Sequence, residues 1–255
     1  MKDYTKLLDD LFEKWKNERE FTHFYYDGLM YRGKYCYDKD NLPYWRKPGN
    51  ESKMWDKCPT RVMFLLKDVN ARGDTAEDDD DLRGRVFLNT GYRGYKNLTY
   101  WLYGILKTIE TGHAPDYTFS DAEAFKLFDE TPVAYVNCKK QAGFNSCSYS
   151  TLLDYIERDK DFIIKEIEIL NPDIIMCCAY TDSTGNPIFD FVKENIFTDL
   201  KQVNNWIYYS EKTNKVVIEA YHFVSRLQTN EYMYTEMTKH FEDFIKKYPK
   251  FKKLR

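Results

Sequence analysis

The sequence lacks several patterns that define common classes of protein. Its six cysteines include no C-x-x-C pair, and no apolar stretch approaches the roughly 20 residues that a membrane-spanning helix needs. Neither sign of charge dominates: 38 basic and 41 acidic residues give a net charge of −3, so nucleic-acid binding would need a local basic surface. No Walker loop, Ser-His-Asp order or zinc-ligand spacing is present.

These absences favour a cytoplasmic protein with reduced, mostly buried thiols and no membrane segment. The first residues are charged and amphipathic, without the apolar centre of a signal peptide. Hydrophobic residues make up 43% of the chain, and 22 Tyr and 17 Phe are among them, so a packed globular fold is expected.

Apolar runs alternate with amphipathic helical patterns along the chain. The runs "TRVMFLLKDVN", "TPVAYVNCKK", "NPDIIMCCAY" and "KVVIEAYH" are typical of parallel strands that are covered on both faces. We therefore predict a three-layer α/β/α fold with a central, mainly parallel sheet of about four strands. Residues 1–59 are predicted to form an N-terminal helix and an aromatic-rich extension packed on the core, and residues 60–255 the α/β/α domain.

Polar residues follow three of the predicted strands where each strand ends: Asp68, Asn137 and His222. Because ligands bind beyond the carboxyl ends of parallel strands, these residues are predicted to form one site. Each also has a structural alternative: Asp68 could cap a turn, Asn137 could hold a loop, and His222 could be a hydrogen-bonded core histidine.

Five segments carry a resemblance to a known family. They are "LLKDVNARGD", "AEDDDDLRGRVFLNTG", "AYVNCKK", "NPDIIMCCA" and "HFVSR". In order and spacing they resemble the motifs of the uracil-DNA glycosylase superfamily, over roughly residues 60–245. The resemblance implies a DNA-repair hydrolase that flips a deaminated or damaged base out of DNA and cleaves its glycosidic bond.

The resemblance also implies roles for individual residues. Asp68 would orient water and stabilise the cationic sugar, and His222 would donate a hydrogen bond to the departing base. Phe87 would stack on the flipped base, and Asn137 would bind the base edge. The DNA would be contacted by three consecutive residues, Ser225, Arg226 and Leu227, of which Leu227 would fill the vacated stack.

The sequence departs from the family pattern at several positions. Leu66 and Val69 replace the Gly and Pro of the first motif, Ala71 stands where a His is expected, and Phe223 replaces the Pro of the last motif. The four cysteines of the iron–sulfur branch are not evident, because Cys36 and Cys58 are too far apart to supply its close pair. We therefore predict no iron–sulfur cluster and no cofactor.

The acidic run from Glu77 to Asp81 is interpreted as a solvated loop in preference to a metal site, and no metal is predicted. Two functions remain open. The first is a glycosylase-like hydrolase acting on DNA, and the second is a catalytically silent protein of the same fold that binds a nucleobase, a nucleotide or a protein partner.

Overall fold

The computed structural model of the chain describes residues 2–70, 80–87, 93–143, 147–181 and 183–251. Within these ranges the helices begin and end as follows: α1 (Tyr4–Glu18), α2 (Glu51–Lys57), α3 (Arg93–Thr111), α4 (Asp121–Glu130), α5 (Tyr149–Leu170), α6 (Pro187–Asn195) and α7 (Asn230–Lys247). In this part of the chain, none of the helices is both long enough and apolar enough to traverse a lipid bilayer.

The strands form one large sheet and two small ribbons. They are β1 (Tyr25–Tyr26), β2 (Gly28–Leu29), β3 (Tyr35–Tyr37), β4 (Pro43–Arg46), β5 (Val62–Asn70), β6 (Asp80–Asp81), β7 (Val133–Gly143), β8 (Ile174–Tyr180), β9 (Lys201–Gln202), β10 (Ile207–Ser210) and β11 (Lys215–Tyr221). Seven of these described strands form the main sheet, in the order β2-β7-β5-β8-β11-β10-β9.

The main sheet is mixed. Its inner strands β7, β5, β8 and β11 run parallel to one another, whereas β2 pairs antiparallel with β7 and β10 pairs antiparallel with β11. The prediction of an α/β fold is confirmed, and the sheet is larger than the predicted four strands. The additional strands are β2 at one edge of the sheet and β10 and β9 at the other, and each has two to four residues.

Helices cover both faces of the sheet because the side chains of each inner strand alternate between two cores. Phe64 and Leu66 of β5 belong to a core that includes Trp101 of α3 and Phe241 of α7, which we call the α3 core. Leu65 belongs to the opposite core, which we call the α5 core and which contains residues of α1, α5 and α6 such as Trp15, Ile163 and Ile188. The continuous apolar runs of the sequence therefore reflect burial on both faces.

The N-terminal segment is built into the α/β core. Its strand β2 forms one edge of the main sheet, and Phe12 and Trp15 of α1 are fully buried in the α5 core. Arg32 donates its guanidinium to the main-chain oxygens of Phe128 and Thr131, which ties the end of α4 to the same segment.

Gly104 tests the packing of α3 against α7. A Cβ at this position would lie against Thr238 Cγ2 and 2.8 Å from Tyr234 Cε2. At an exposed helix position, replacing glycine with alanine stabilises the helix by about 1 kcal/mol. In a filled space between two helices, the added methyl group instead costs about 1–3 kcal/mol. We expect Gly104→Ala to lower the free energy of unfolding by about 1–2 kcal/mol in urea titrations. The exposed Lys126→Ala should change it by less than about 0.5 kcal/mol. A Gly104→Ala protein as stable as the wild type would contradict this packing.

Candidate functional site

The carboxyl ends of β7, β5, β8 and β11 form one edge of the sheet, called the carboxyl edge. The chain leaves β5 toward β7 on one side, and it leaves the adjacent β8 toward β11 on the other side. Neighbouring parallel strands with diverging connections leave a crevice between them, which is the usual ligand position in such sheets. Of the three polar residues predicted at strand ends, His222 directly follows β11 and Asp68 lies two residues before the end of β5. The prediction is wrong for Asn137, which lies in the middle of β7, because that strand continues to Gly143.

Strand register sets the separation of these residues. Leu66 pairs with Asn137 and Asp68 pairs with Lys139, so Asp68 and Asn137 are diagonal neighbours. Side chains in this relation are roughly 7–8 Å apart. His222 directly follows β11, and β8 lies between β11 and β5. Two strand spacings correspond to roughly 10 Å across the sheet.

Asp68 is partly buried at the end of β5. Its Oδ2 is buried and has no hydrogen-bond partner among the residues that the structure describes. Burial raises the pKa of this carboxyl above its usual value, while the positive charges of Lys139 and Lys67 oppose the rise. Asp68 is therefore an acceptor near two ammonium groups, and the described residues do not use its buried Oδ2.

Asn137 is 1% exposed, and it donates two hydrogen bonds to one carboxylate oxygen. Its backbone N donates to Asp27 Oδ2 at 2.7 Å, and its Nδ2 donates to the same oxygen at 3.0 Å. Its Oδ1 is buried, again with no partner within the described residues. The carboxamide therefore keeps one acceptor that this part of the protein does not use.

His222 is largely enclosed. Burial lowers the pKa of its imidazole to about 3, and the nearby charge of Lys67 acts in the same direction. The ring lies 4.9 Å from the Phe223 ring, and the main-chain oxygen accepts from Ser225 N at 2.7 Å. At neutral pH the ring is uncharged and has one N–H donor and one acceptor nitrogen.

Phe87 lies within an aromatic cluster of the α3 core and is 4% exposed. Its ring stacks on Tyr95 with centroids 4.0 Å apart, stacks on Phe128 at 4.8 Å, and meets Tyr135 edge-on at 5.8 Å. Tyr135 precedes Asn137 by two residues on the same strand, which brings Phe87 to the neighbourhood of Asn137.

The two large residues that depart from the family pattern are both in the α3 core. Leu66 is fully buried next to Asn137 in the register of the sheet. Phe223 packs on the start of α3, where a Cβ on Gly94 would lie 2.6 Å from its ring, and Asn97 Nδ2 donates to its main-chain oxygen at 2.6 Å. Ala71 lies outside the described residues.

The predicted DNA-contacting residues lie in the turn that connects His222 to α7. Ser225 is partly buried and its Oγ accepts from Leu227 N at 3.4 Å. Arg226 is exposed, and Leu227 is 64% exposed, so both side chains can reach a partner in solution.

Sequence reasoning missed a buried ionic cluster beside Asn137. Lys140 Nζ lies 2.5 Å from Asp27 Oδ1 and 2.7 Å from Glu166 Oε2, and all three side chains are completely buried. The only local signals were the "KK" at the end of "AYVNCKK" and the acid in "YYDG". A lysine buried at the end of a strand cannot be told from a solvated one by periodicity.

The acidic run lies partly outside the described residues, since only Asp80 and Asp81 of Glu77–Asp81 are described. Asp81 Oδ2 lies 2.9 Å from Arg83 Nη2, and Asp80 Oδ2 lies 3.3 Å from Arg85 Nη2. A search of the described residues finds no group of three or more His, Cys, Asp or Glu side chains arranged to hold a metal ion.

A separate cavity of about 640 Å³ opens at the opposite edge of the sheet, and it is called the amino-edge cavity. Its apolar lining includes Met54, Leu106, Ile109 and Pro132, and its rim includes lysines of α2 and glutamates of α3 and α4. It contains none of the residues that the sequence predicted for a site.

Comparison of the chain with models of protein families gives no match, and comparison with curated proteins gives none either. The assignment of function therefore depends on the residues of the carboxyl edge.

The lowered pKa of His222 has a consequence for stability. The unfolded imidazole has its ordinary pKa of 6.5, so the unfolded chain binds a proton first as the pH falls. The contribution of His222 to stability is complete above pH 6.5 and is lost as the pH falls from 6.5 toward 3. We expect the urea midpoint of the wild type to fall more steeply over this range than that of His222→Gln.

The ring can also be followed directly by ¹⁵N NMR, with its signals assigned from the spectrum of His222→Gln. The signals should keep the positions of a neutral imidazole from about pH 8 to below about pH 5. A titration midpoint near 6.5, the ordinary value, would contradict the burial described above.

Proposed function

We propose that this protein is a glycosylase-like hydrolase that cleaves the N-glycosidic bond of a deaminated or damaged base in DNA. The observation that carries the proposal is the pair of buried acceptors without a partner in the described part of the chain, Asp68 Oδ2 and Asn137 Oδ1, together with the neutral ring of His222. Buried polar oxygens are nearly always hydrogen-bonded in folded proteins, so two of them without a partner within the described residues favour a ligand that supplies donors.

The chemistry of glycosidic cleavage suits these three groups. As the bond from the sugar C1′ to the base nitrogen breaks, positive charge develops on the sugar and negative charge on the base. The Asp68 carboxylate would stabilise the cationic sugar and orient the water that adds to C1′. The neutral His222 would donate its N–H to the base oxygen that gains charge, without any change in its own protonation.

The resemblance to the uracil-DNA glycosylase superfamily supports the same function, because Asp68, Asn137 and His222 occupy the motif positions to which that family assigns these roles. Arg226 and Leu227 support a role on DNA: an exposed guanidinium can bind a phosphate, and an exposed leucine can enter a base stack. A base within a duplex has to be flipped out before a site of this kind can reach it.

A second function is favoured by Leu66 and Phe223. Both are large, both are buried in the α3 core, and both stand where the family has smaller residues. A crevice narrowed in this way could hold a nucleobase, a nucleotide or a partner side chain without giving water access to a sugar. In that case the protein would be a catalytically silent binding module of the same fold.

An assay with labelled oligonucleotides separates the two functions. Wild-type protein is incubated with strands that contain uracil, hypoxanthine or xanthine, and alkali then cleaves any abasic sites. The hydrolase predicts product with at least one substrate, and a loss of at least about 100-fold in Asp68→Asn and in His222→Ala. Glu130→Gln, which alters an acid on the rim of the amino-edge cavity at the opposite edge, should keep full activity. No product from any of the three substrates would reject the hydrolase.

Leu227 offers a test of DNA contact that is independent of the chemistry. Because its side chain is 64% exposed, Leu227→Ala should leave the urea midpoint unchanged. It should weaken binding to a uracil-containing duplex by about tenfold, since one wedge residue fills the vacated stack. Leu42→Ala, which truncates a leucine 50% exposed in the β3–β4 ribbon, is the matched control. Equal duplex affinity of the two variants would reject the wedge role.

A further inference from the structure

Asp27 lies between β1 and β2 and is completely buried. Its Oδ2 accepts two hydrogen bonds from Asn137, one from the backbone N and one from Nδ2, and its Oδ1 accepts from Lys140 Nζ. The next residue, Gly28, has a φ of +103°, a conformation that L side chains rarely adopt. A tight turn in the N-terminal segment thus delivers a carboxylate to the strand that carries Asn137.

The charges of the cluster keep Asp27 an acceptor. Lys140 faces two carboxyl groups, Asp27 and Glu166, and burial raises the pKa of Glu166 to about 8. Both oxygens of Asp27 accept hydrogen bonds, Oδ1 from Lys140 Nζ and Oδ2 from Asn137, so the group is held as an acceptor. An ionised carboxylate has acceptors and no donor.

This fixes the orientation of the Asn137 side chain. A carboxamide has an NH₂ donor end and an oxygen acceptor end, which are nearly equivalent in shape. Only the donor end can face an ionised carboxylate, so Nδ2 is directed at Asp27 and Oδ1 is directed away from it. Oδ1 is the atom that is buried without a partner within the described part of the chain.

We propose that Asp27 is a positioning residue, which orients the Asn137 carboxamide and holds its Oδ1 as a fixed acceptor for a ring N–H of the ligand. This inference rests on the function proposed above and adds a positioning residue to that site. Uracil and hypoxanthine have such an N–H, whereas the amino bases from which they arise by deamination, cytosine and adenine, have an unprotonated ring nitrogen there. Its lone pair would face Oδ1 and lose the hydrogen bond.

NMR of the Asn137 side chain tests the orientation without any ligand. Its Nδ2 signals, assigned from Asn137→Ala, should exchange with solvent at least about 100-fold more slowly than those of the exposed Asn41, because one proton is bound to a buried carboxylate. In Asp27→Asn this protection should fall by at least about tenfold. Glu166→Gln, which alters the same cluster without touching Asn137, should retain it. Fast exchange in the wild type would overturn the proposal even if Asp27→Asn failed to fold.

Binding to single-stranded oligonucleotides tests the ligand class. Wild-type protein should bind a strand with one deoxyuridine about 10–100-fold more tightly than the same strand with deoxycytidine, as expected when one buried hydrogen bond is lost. In Asp27→Asn the ratio should fall below about three, because its amide can present either end to Asn137. Glu166→Gln should keep the wild-type ratio, so a general loss of stability would not mimic the effect.

The outcomes separate this inference from the proposed function. A wild-type preference for deoxyuridine that persists in Asp27→Asn would overturn the role of Asp27 and leave the proposed function intact. If the wild type binds both strands equally, the acceptor role of Asn137 is overturned. If it binds neither, the ligand class and the base-binding function both fail.

Discussion

The ammonium group of Lys140 is fully enclosed between two carboxyl groups from distant parts of the chain, Asp27 and Glu166. Removing one partner of such a buried cluster typically costs about 3–5 kcal/mol, because the remaining charge has no water to solvate it. The cluster therefore fixes the N-terminal segment, the end of β7 and the helix α5 relative to one another. Asp27 also binds Asn137, so the same interaction sets the geometry of the carboxyl edge.

The carboxyl edge combines rigid strands with polar groups that the surrounding residues do not fully satisfy. A buried oxygen without a hydrogen bond costs about 1–3 kcal/mol, and both Asp68 and Asn137 have one within the described residues. The neutral ring of His222, two strands from Asp68, adds a donor. These groups are complementary to a planar heterocycle with donors and an acceptor, and this is the physical basis of the proposed function.

The inner strands could be predicted from the sequence because their burial on both faces produces continuous apolar runs. The edge strands β2 and β9 have two residues each, too few to show a pattern. Helix α4 was not predicted, although Ser120 and Glu123 form a capping box that marks its start. The rule for parallel strands placed Asp68 and His222 near the carboxyl ends of β5 and β11, but it misplaced Asn137, which lies in the middle of β7 because the polar residues Lys139, Lys140 and Gln141 continue that strand. The link from Asn137 to Asp27 spans 110 residues and depends on tertiary packing, so no local pattern could reveal it.

The central claim is that Asp68, Asn137 and His222 surround one nucleobase, and backbone NMR during titration with uracil tests it most directly. The account predicts that the amide signals of Lys67, Asp68, Asn137, Lys139 and His222 shift together along one binding curve, and that those beside the amino-edge cavity, such as Met54 and Leu106, do not. Shifts confined to the amino-edge cavity, or no shifts at millimolar uracil, would contradict it.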